Sequence, residues 1–221
     1  MICFKKLLKS VKKKQLVQGF IIRQSRARDE DLIVSIITKE SLQNLYRFYG
    51  ARHGTINLGF KIDFEIQTSL KSSISQLRDV IHLGFPWMVD YDKLRLWQQF
   101  IALFYPHLHQ NDGIEPFYFN VLDTAASRWG KQNAKRVAIE TYVALLRYEG
   151  RLHQEMRCFF CEQPIEQNVS LIRAYLPAHK HCSHTLEISK AALLELYATQ
   201  STLFLDDGDI NRLWEVMLQG L

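Results

Sequence analysis

The sequence predicts an α+β protein in which a small N-terminal β-barrel is followed by an all-helical domain with an inserted metal-binding loop. Three observations predict this class. Residues 17–80 have the composition of short strands, the hydrophobic period lengthens to three or four residues after Val80, and a Cys/His segment at about 155–186 interrupts the helical pattern. A chain of 221 residues can bury one large core or two smaller ones.

Residues 1–16, MICFKKLLKSVKKKQL, form a basic leader with six lysines and no acidic residue. Its apolar runs are too short for a signal peptide or a membrane span, so nothing in it predicts export or anchoring. Three interpretations stay open: an arm that contacts phosphates, an amphipathic helix on a membrane surface, or a disordered extension. Alternatively, the natural chain begins near Val17 and the leader arises from the choice of start site.

The net charge of +5 depends on this leader, since residues 17–221 hold 22 Lys and Arg against 23 Asp and Glu. Any argument for nucleic-acid binding must therefore rest on where the basic residues lie. Three of the four cysteines lie in one segment, and Cys3 lies far from them. This is not the even spread that staples secreted domains, so the pattern favours a reducing cytoplasm.

The first segments after the leader are rich in β-branched and aromatic residues and are separated by polar turns. Four of them predict strands: VQGFIIRQ at 17–24, DLIVSIIT at 31–38, LQNLYRFYG at 42–50 and FKIDFEIQT at 60–68. In the last one, apolar residues alternate with charged residues, as in a strand with one buried face. Four or five antiparallel strands in about 65 residues predict a small barrel, which we place at residues 17–80.

Helices are predicted in the second domain, at residues 81–221. Apolar residues recur there at helical spacing in four segments: 91–108, 131–153, 189–200 and 206–219. Pro106 and Pro116 mark a break, Gly150 predicts a helix end, and Asp209 is placed to cap the last helix.

Cys158 and Cys161 have the C-x-x-C spacing that lets two thiolates reach one metal from a tight turn. His179 and Cys182 would complete a tetrahedron, with His184 as the alternative fourth ligand and His153 as a remote one. A closed set of four protein ligands leaves no position for water, so the predicted zinc ion is structural. The alternative is a set of ordinary thiols and surface histidines.

The stretch NLYRFYGARHG combines arginines with aromatic residues. Strand alternation puts Tyr46 and Phe48 on one face and Leu45, Arg47 and Tyr49 on the other, so that one face fills the core and the other presents guanidinium and phenol groups. Arginine for phosphates and tyrosine for stacking suit single-stranded nucleic acid, although a solvated strand is the alternative. The predicted DNA-binding residues are Arg23, Arg26, Arg47, Tyr49, Arg52 and His53, and Arg28 could extend the surface.

A second basic cluster, Lys131, Lys135 and Arg136, opens a predicted helix. It is either a solvated face or a contact for an acidic peptide or DNA backbone.

Sequence motifs for catalysis are absent. No phosphate-binding GxxxxGK[ST], no GxSxG and no HExxH occurs, and His107, His109 and Asp112 are more typical of a surface turn than of a metal site. We therefore expect a protein that is not an enzyme.

These features together resemble the bacterial RecO recombination mediator family. The resemblance covers nearly all of the chain from Val17, through the GFIIRQ strand, DEDLIVSIIT, the YGARH turn, a helical half, and a C-x-x-C pair with a later cysteine. It implies an OB-fold, a helical domain and a zinc site, which in many members is made of four cysteines. By matching position, Gly50, Ala51 and Arg52 would lie in the basic surface of the barrel, beside Arg47 and His53.

The second half of the family's metal site is usually another C-x-x-C pair, but three places after Cys182 this chain has Thr185. Either a histidine substitutes or the site is degenerate.

The resemblance further implies a cytoplasmic mediator that binds single- and double-stranded DNA and anneals complementary strands. Its protein partners would be RecR, in loading RecA, and the acidic tail of single-stranded-DNA-binding protein. The alternative is a zinc-stabilised protein-interaction module without DNA binding, which the near-neutral residues 17–221 favour. A nuclease or hydrolase is disfavoured by the lack of clustered carboxylates.

Overall fold

The computed structural model describes residues 16–68, 72–110 and 113–221. Most of the basic leader, with Cys3, lies outside the described residues, as does Asp112. Five strands close a barrel in the order β1-β2-β3-β5-β4. Their bounds are β1 Val17–Arg26, β2 Leu32–Thr38, β3 Leu42–Arg47, β4 Lys61–Gln67 and β5 Gln76–His82. The pairing of β3 with β5 is parallel and the other pairings are antiparallel, so the predicted barrel is confirmed and is OB-like.

Strand β1 closes the barrel because it pairs with β2 on one side and with β4 on the other. Gly19 lies opposite Thr38 and Ile62, where the backbones are crowded. A Cβ atom at Gly19 would lie 2.3 Å from Cγ2 of Ile36 and 2.8 Å from the carbonyl oxygen of Ile37. The absence of a side chain at this position therefore allows β1 to belong to both pairings.

Seven α-helices lie among the described residues after the barrel. They are α1 Tyr91–Ile101, α2 Phe104–Leu108, α3 Pro116–Trp129, α4 Ala134–Tyr148, α5 Lys180–Ser183, α6 Lys190–Thr199 and α7 Asp207–Met217. The predicted break separates α2 from α3, and α3 begins with Pro116, which is tolerated in a first helical turn.

The cap predicted at Asp209 is wrong in position. The side chain of Asp206 accepts a hydrogen bond from the amide of Asp209, so Asp206 is the N-cap of α7. Asp209 lies in the first turn, where its carboxylate pairs with Arg212. An N-cap side chain accepts from the amide two or three residues later, and Asp206 has this spacing to the amide of Asp209.

A small antiparallel sheet, which the sequence pattern does not predict, lies in the inserted segment and continues just beyond it. Its strands are β6 Asn168–Ile172, β7 Leu176–Ala178 and β8 Glu187–Ser189, in the order β7-β6-β8. Strands of three to five residues are too short to show an alternating pattern.

The interior of the barrel is one hydrophobic core, and a second, larger core lies between the barrel and the helices. Phe20, Ile22 and Ile37 belong to barrel strands but are buried in the same cluster as the helix residues. Trp97 of α1 is central to this junction, because its indole N–H donates to the carbonyl oxygen of Gly59 at 2.8 Å and its ring lies 4.9 Å from that of Trp129. The barrel is therefore fixed to the helices by side-chain packing.

We predict that Trp97→Phe lowers the free energy of unfolding by about 2 kcal/mol or more, because the Gly59 carbonyl loses its donor and the smaller ring leaves a void. Urea denaturation followed by circular dichroism measures the change. Tyr91→Phe removes an exposed hydroxyl and is the control, with an expected change below about 0.5 kcal/mol. Equal stability of the two variants would show that the junction does not depend on Trp97.

Candidate metal centre and nucleic-acid interface

Four side chains of the inserted segment converge on one point. The Sγ atoms of Cys158, Cys161 and Cys182 and a ring nitrogen of His179 all lie within 4.8 Å of one another. The C-x-x-C pair occupies a tight turn, in which the amide of Glu162 donates to the carbonyl oxygen of Cys158 at 2.8 Å. The other two ligands come from the end of β7 and from α5. These four residues could hold a metal ion.

Backbone groups orient the ligands for this role. The amide of His179 lies 3.4 Å from Sγ of Cys158, and Nδ1 of His179 lies 3.3 Å from Sγ of Cys161. The opposite ring nitrogen, Nε2, lies 3.2 Å from the carbonyl oxygen of Pro164. If Nε2 carries the proton and donates to that oxygen, Nδ1 has a lone pair for a metal, which is the usual arrangement for a ligating histidine.

The pKa values of two of the thiols are shifted in opposite directions. Burial raises the pKa of Cys158, but hydrogen bonds from the backbone amides of Cys161, His179 and Phe160 outweigh it and lower this pKa to about 6. Burial and the neighbouring sulfurs of Cys158 and Cys161 raise the pKa of Cys182 to about 11. Three thiolates this close together repel one another, and a divalent cation among them would remove that repulsion.

The geometry distinguishes among the histidines proposed as the fourth ligand. His179 is in the cluster, whereas His184 is an exposed residue in left-handed conformation at the end of α5 and is not in it. His153 borders a neighbouring cleft. The donor set of three thiolates and one imidazole is compatible with zinc and leaves no ligand position open to substrate.

The second candidate site lies where β3 ends and the GAR turn begins. Phe48 is 43% exposed and Tyr49 is 58% exposed. The guanidinium carbon of Arg52 lies 5.4 Å from the centroid of the Tyr49 ring, and that of Arg78 lies 6.0 Å from the Phe48 ring. Exposed aromatic rings with guanidinium groups beside them provide both stacking surfaces and cations.

Asp31 holds this turn in place. One carboxylate oxygen accepts from the amide of Tyr49 at 2.7 Å and the other accepts from the hydroxyl of Tyr46. The bond from Tyr46, followed by the bond from the Tyr49 amide, lowers the pKa of Asp31, and the same contact raises the pKa of Tyr46. Tyr49 adopts the left-handed conformation, with φ of 52°, and so projects away from the strand. Arg52 in turn forms an ion pair with Glu30.

The structure changes the predicted roles of the two faces of β3. Leu45 is buried in the barrel, so its face, which also carries Arg47, is turned inward. The guanidinium of Arg47 donates to the carbonyl oxygen of Leu77 at 3.0 Å, and burial, followed by the charge of Arg78, lowers its pKa. Arg47 is half-buried and lines an open depression together with Arg78, so its contact with DNA stays a prediction, while Phe48, assigned to the opposite face, is exposed.

The sequence did not single out Phe48 and Arg78, which the structure places in contact with each other. Strand alternation assumed that β3 continues to residue 50, but the strand ends at Arg47. Arg78 lies in β5, which is brought next to β3 only by barrel closure.

The other predicted DNA-binding residues lie around this turn or farther along β1. Arg26 and His53 line a depression of about 320 Å³ together with Gly50 and Ala51. Arg23 is exposed, but its guanidinium lies 4.3 Å from the ring centroid of Tyr105 in α2.

The three residues of the basic cluster predicted to bind a partner differ in how far their side chains are engaged by other residues. Lys131 is exposed, whereas Lys135 donates to Asn211 at 2.7 Å. Arg136 donates to the carbonyl oxygens of Thr202 and Leu205 and pairs with Asp207. Its guanidinium is therefore engaged within the helical domain.

The chain is thus an OB-type barrel protein whose helical domain carries a Cys₃His cluster. Residues 17–88 match the family model described as RecO N terminal, a range that covers the whole barrel and ends just before α1. The match supports the resemblance to the RecO family. No curated protein matches the chain. Within the described ranges, every helix is too short or too polar to cross a membrane.

We predict that Co²⁺ binds with the visible absorption of a tetrahedral thiolate site. His179→Ala should weaken Co²⁺ binding by about tenfold to 100-fold or more, since it removes one of four ligands. His184→Ala should bind like the wild type. Loss of binding in His184→Ala with retention in His179→Ala would contradict the assigned ligand set.

The same titration tests the protonation of Cys182. Because this thiol has a raised pKa and must lose its proton to bind metal, affinity should fall about tenfold or more for each unit by which the pH is lowered from 8.

Proposed function

We propose that the protein is a recombination mediator in DNA repair that binds single- and double-stranded DNA and promotes annealing. The observation that carries this proposal is the RecO N-terminal match over a barrel whose exposed turn combines Phe48 and Tyr49 with Arg52 and Arg78. OB-folds bind oligonucleotides across the second and third strands and their adjoining loops, which is where this turn lies.

Single strands would bind by two kinds of contact. Arg52 and Arg78 contact phosphates, and the rings of Phe48 and Tyr49 stack on bases. Arg26 and His53, on the far side of the GAR turn, extend the path of the strand along the depression that they line. Arg23 extends it along β1, and the half-buried Arg47 lines a depression beside Arg78. Duplex DNA would contact the same cations through its phosphates alone.

Annealing follows from this mode of binding without bond chemistry. Two strands held through their phosphates have their charges screened and their base edges exposed, so the electrostatic barrier to pairing falls. In the same proposal, RecR binds the mediator and the pair helps to load RecA onto strands covered by single-stranded-DNA-binding protein.

The helical domain would contact the acidic tail of single-stranded-DNA-binding protein through Lys131 and Lys135. Arg136 acts indirectly here, because it holds the loop before α7 by its carbonyl contacts. Asp92 and Asp207 line the same depression as Lys135, and their negative charges would repel an acidic ligand. Replacing both Lys131 and Lys135 with glutamate should abolish binding of the acidic tail, and unchanged binding would place that contact elsewhere.

The metal would be a structural zinc ion held by Cys158, Cys161, His179 and Cys182. It would stabilise a segment whose regular elements are three short strands and a four-residue helix. Metal binding offsets the entropy of ordering such a segment.

A second candidate function is a zinc-stabilised protein-interaction module that does not bind DNA. The near-neutral balance of residues 17–221 favours it, because non-specific binding to nucleic acid rises with positive charge.

Substitution of the two exposed arginines tests the barrel interface. We predict that the Arg52→Ala, Arg78→Ala double variant weakens binding of a labelled single strand and reduces the slope of log K against log salt by about 1.4, because two phosphate contacts are lost. Fluorescence anisotropy at several salt concentrations measures both quantities.

The matched control is the Arg95→Ala, Arg147→Ala double variant, which removes two exposed arginines of the helical domain. It should keep the wild-type slope. Equal slopes in both double variants would move the interface away from the barrel turn, and no binding by the wild-type protein would leave the interaction module as the function.

A further inference from the structure

Two phenylalanines stand between the paired cysteines, and both are exposed. Phe159 is 58% exposed and Phe160 is 54% exposed, and their ring centroids lie 5.7 Å apart in an edge-to-face arrangement. A structural metal site requires only the cysteines of this turn, so the metal does not explain the two rings. Large exposed aromatic residues on a fixed turn indicate a contact with another molecule.

The two rings have different surroundings. Phe159 borders a cleft of about 590 Å³, and Phe160 does not line it. The cleft is further lined by Leu176 and Pro177 of β7, by Cys158 of the metal-ligand cluster, and by the polar residues His153, Glu155, Arg157, Glu162 and Gln163. Phe159 is held at its wall by its backbone, because its amide donates to the carbonyl oxygen of Pro177 at 2.8 Å. The cleft thus has one exposed aromatic wall, one aliphatic wall and a polar margin.

This chemistry suits a nucleobase better than a phosphate or an apolar peptide. A base offers a flat face for Phe159 and an edge that both donates and accepts hydrogen bonds, which the guanidinium, carboxylates and amide of the margin can match. Glu155 and Glu162 repel phosphate, whereas an apolar side chain would leave the polar margin unpaired. The volume falls in the range of small-ligand sites.

We propose that this cleft binds one unpaired base of a single strand, with Phe159 as the stacking platform. The base must be unpaired, because pairing occupies its edge and duplex stacking covers its faces. The site rests on the proposed function, since it adds a contact for a strand that the barrel already holds. It gives the Cys/His segment a role in recognising single strands besides its structural one.

Crosslinking tests this contact directly. The full chain is irradiated with a thirty-nucleotide strand that carries 5-iodouracil, and the crosslinked peptides are identified by mass spectrometry. We expect a crosslink to Phe159 in addition to crosslinks in the barrel. We also expect Phe159→Ala to weaken binding of this strand about fivefold or more, which is the range for loss of one stacked base.

Phe160→Ala is the matched control, because it removes a similarly exposed ring from the same turn that does not itself line the cleft. It should bind like the wild type, and Co²⁺ absorption should show that both variants keep the metal site. Wild-type binding by Phe159→Ala without a crosslink to the segment would overturn the base site and leave the barrel interface intact. Equal weakening by both substitutions would show a general apolar contact and not a base site in the cleft. If the wild-type protein bound no strand, the proposed function would be wrong as well.

Discussion

The contact between Trp97 and the barrel is the constraint on which the arrangement of the molecule depends. The indole of Trp97 is fully buried, and its N–H satisfies the carbonyl of Gly59, a residue with φ of +85°. A Cβ atom on Gly59 would lie 2.6 Å from the Trp97 ring, so only glycine allows this approach. Because the loop that contains Gly59 leads directly into β4, the position of α1 and the closure of the barrel are coupled.

This coupling has a consequence for the surface of the barrel. Packing of α1, α2 and α3 covers the side where Phe20, Ile22 and Ile37 point outward. Phe48 and Tyr49, which follow β3, and Ala51 and Arg52 of the GAR turn stay exposed. Lys61 reinforces the covered side through its ion pair with Asp123 of α3, at 2.6 Å. The helices therefore leave open the part of an OB-type barrel that carries aromatic and basic residues.

The Cys/His segment is stabilised in a different way. Its strands are too short to hold themselves together, and the ligands come from two turns that the chain places far apart in sequence. Backbone hydrogen bonds fix Cys158, and a carbonyl lies beside Nε2 of His179. The protein's own hydrogen bonds therefore orient these two ligands. The same turn carries Phe159, which links the structural role of the segment to its proposed contact with a base.

Much of the fold and of the Cys/His cluster was predictable from the sequence. Alternating residues in β4 and the helical period around Trp97 predicted the barrel and α1, and the spacing of Cys158, Cys161, His179 and Cys182 predicted the cluster. Period analysis could not find β6 to β8, because short strands lack a pattern.

The hydrogen bond of Arg47 to Leu77 and the position of Arg78 beside Phe48 depend on the end of β3 and on barrel closure. Both are tertiary features, and local spacing does not contain them. The choice of His179 over His184 likewise required the left-handed end of α5, which orients His184 away from the cluster.

Hydrogen exchange of backbone amides, measured with and without a thirty-nucleotide single strand, tests whether the barrel turn binds DNA. We expect the strand to slow exchange at residues 46–54 and 76–78, where the barrel turn and β5 meet. Slower exchange confined to α3, α4 and α7, with none in the barrel, would contradict this expectation.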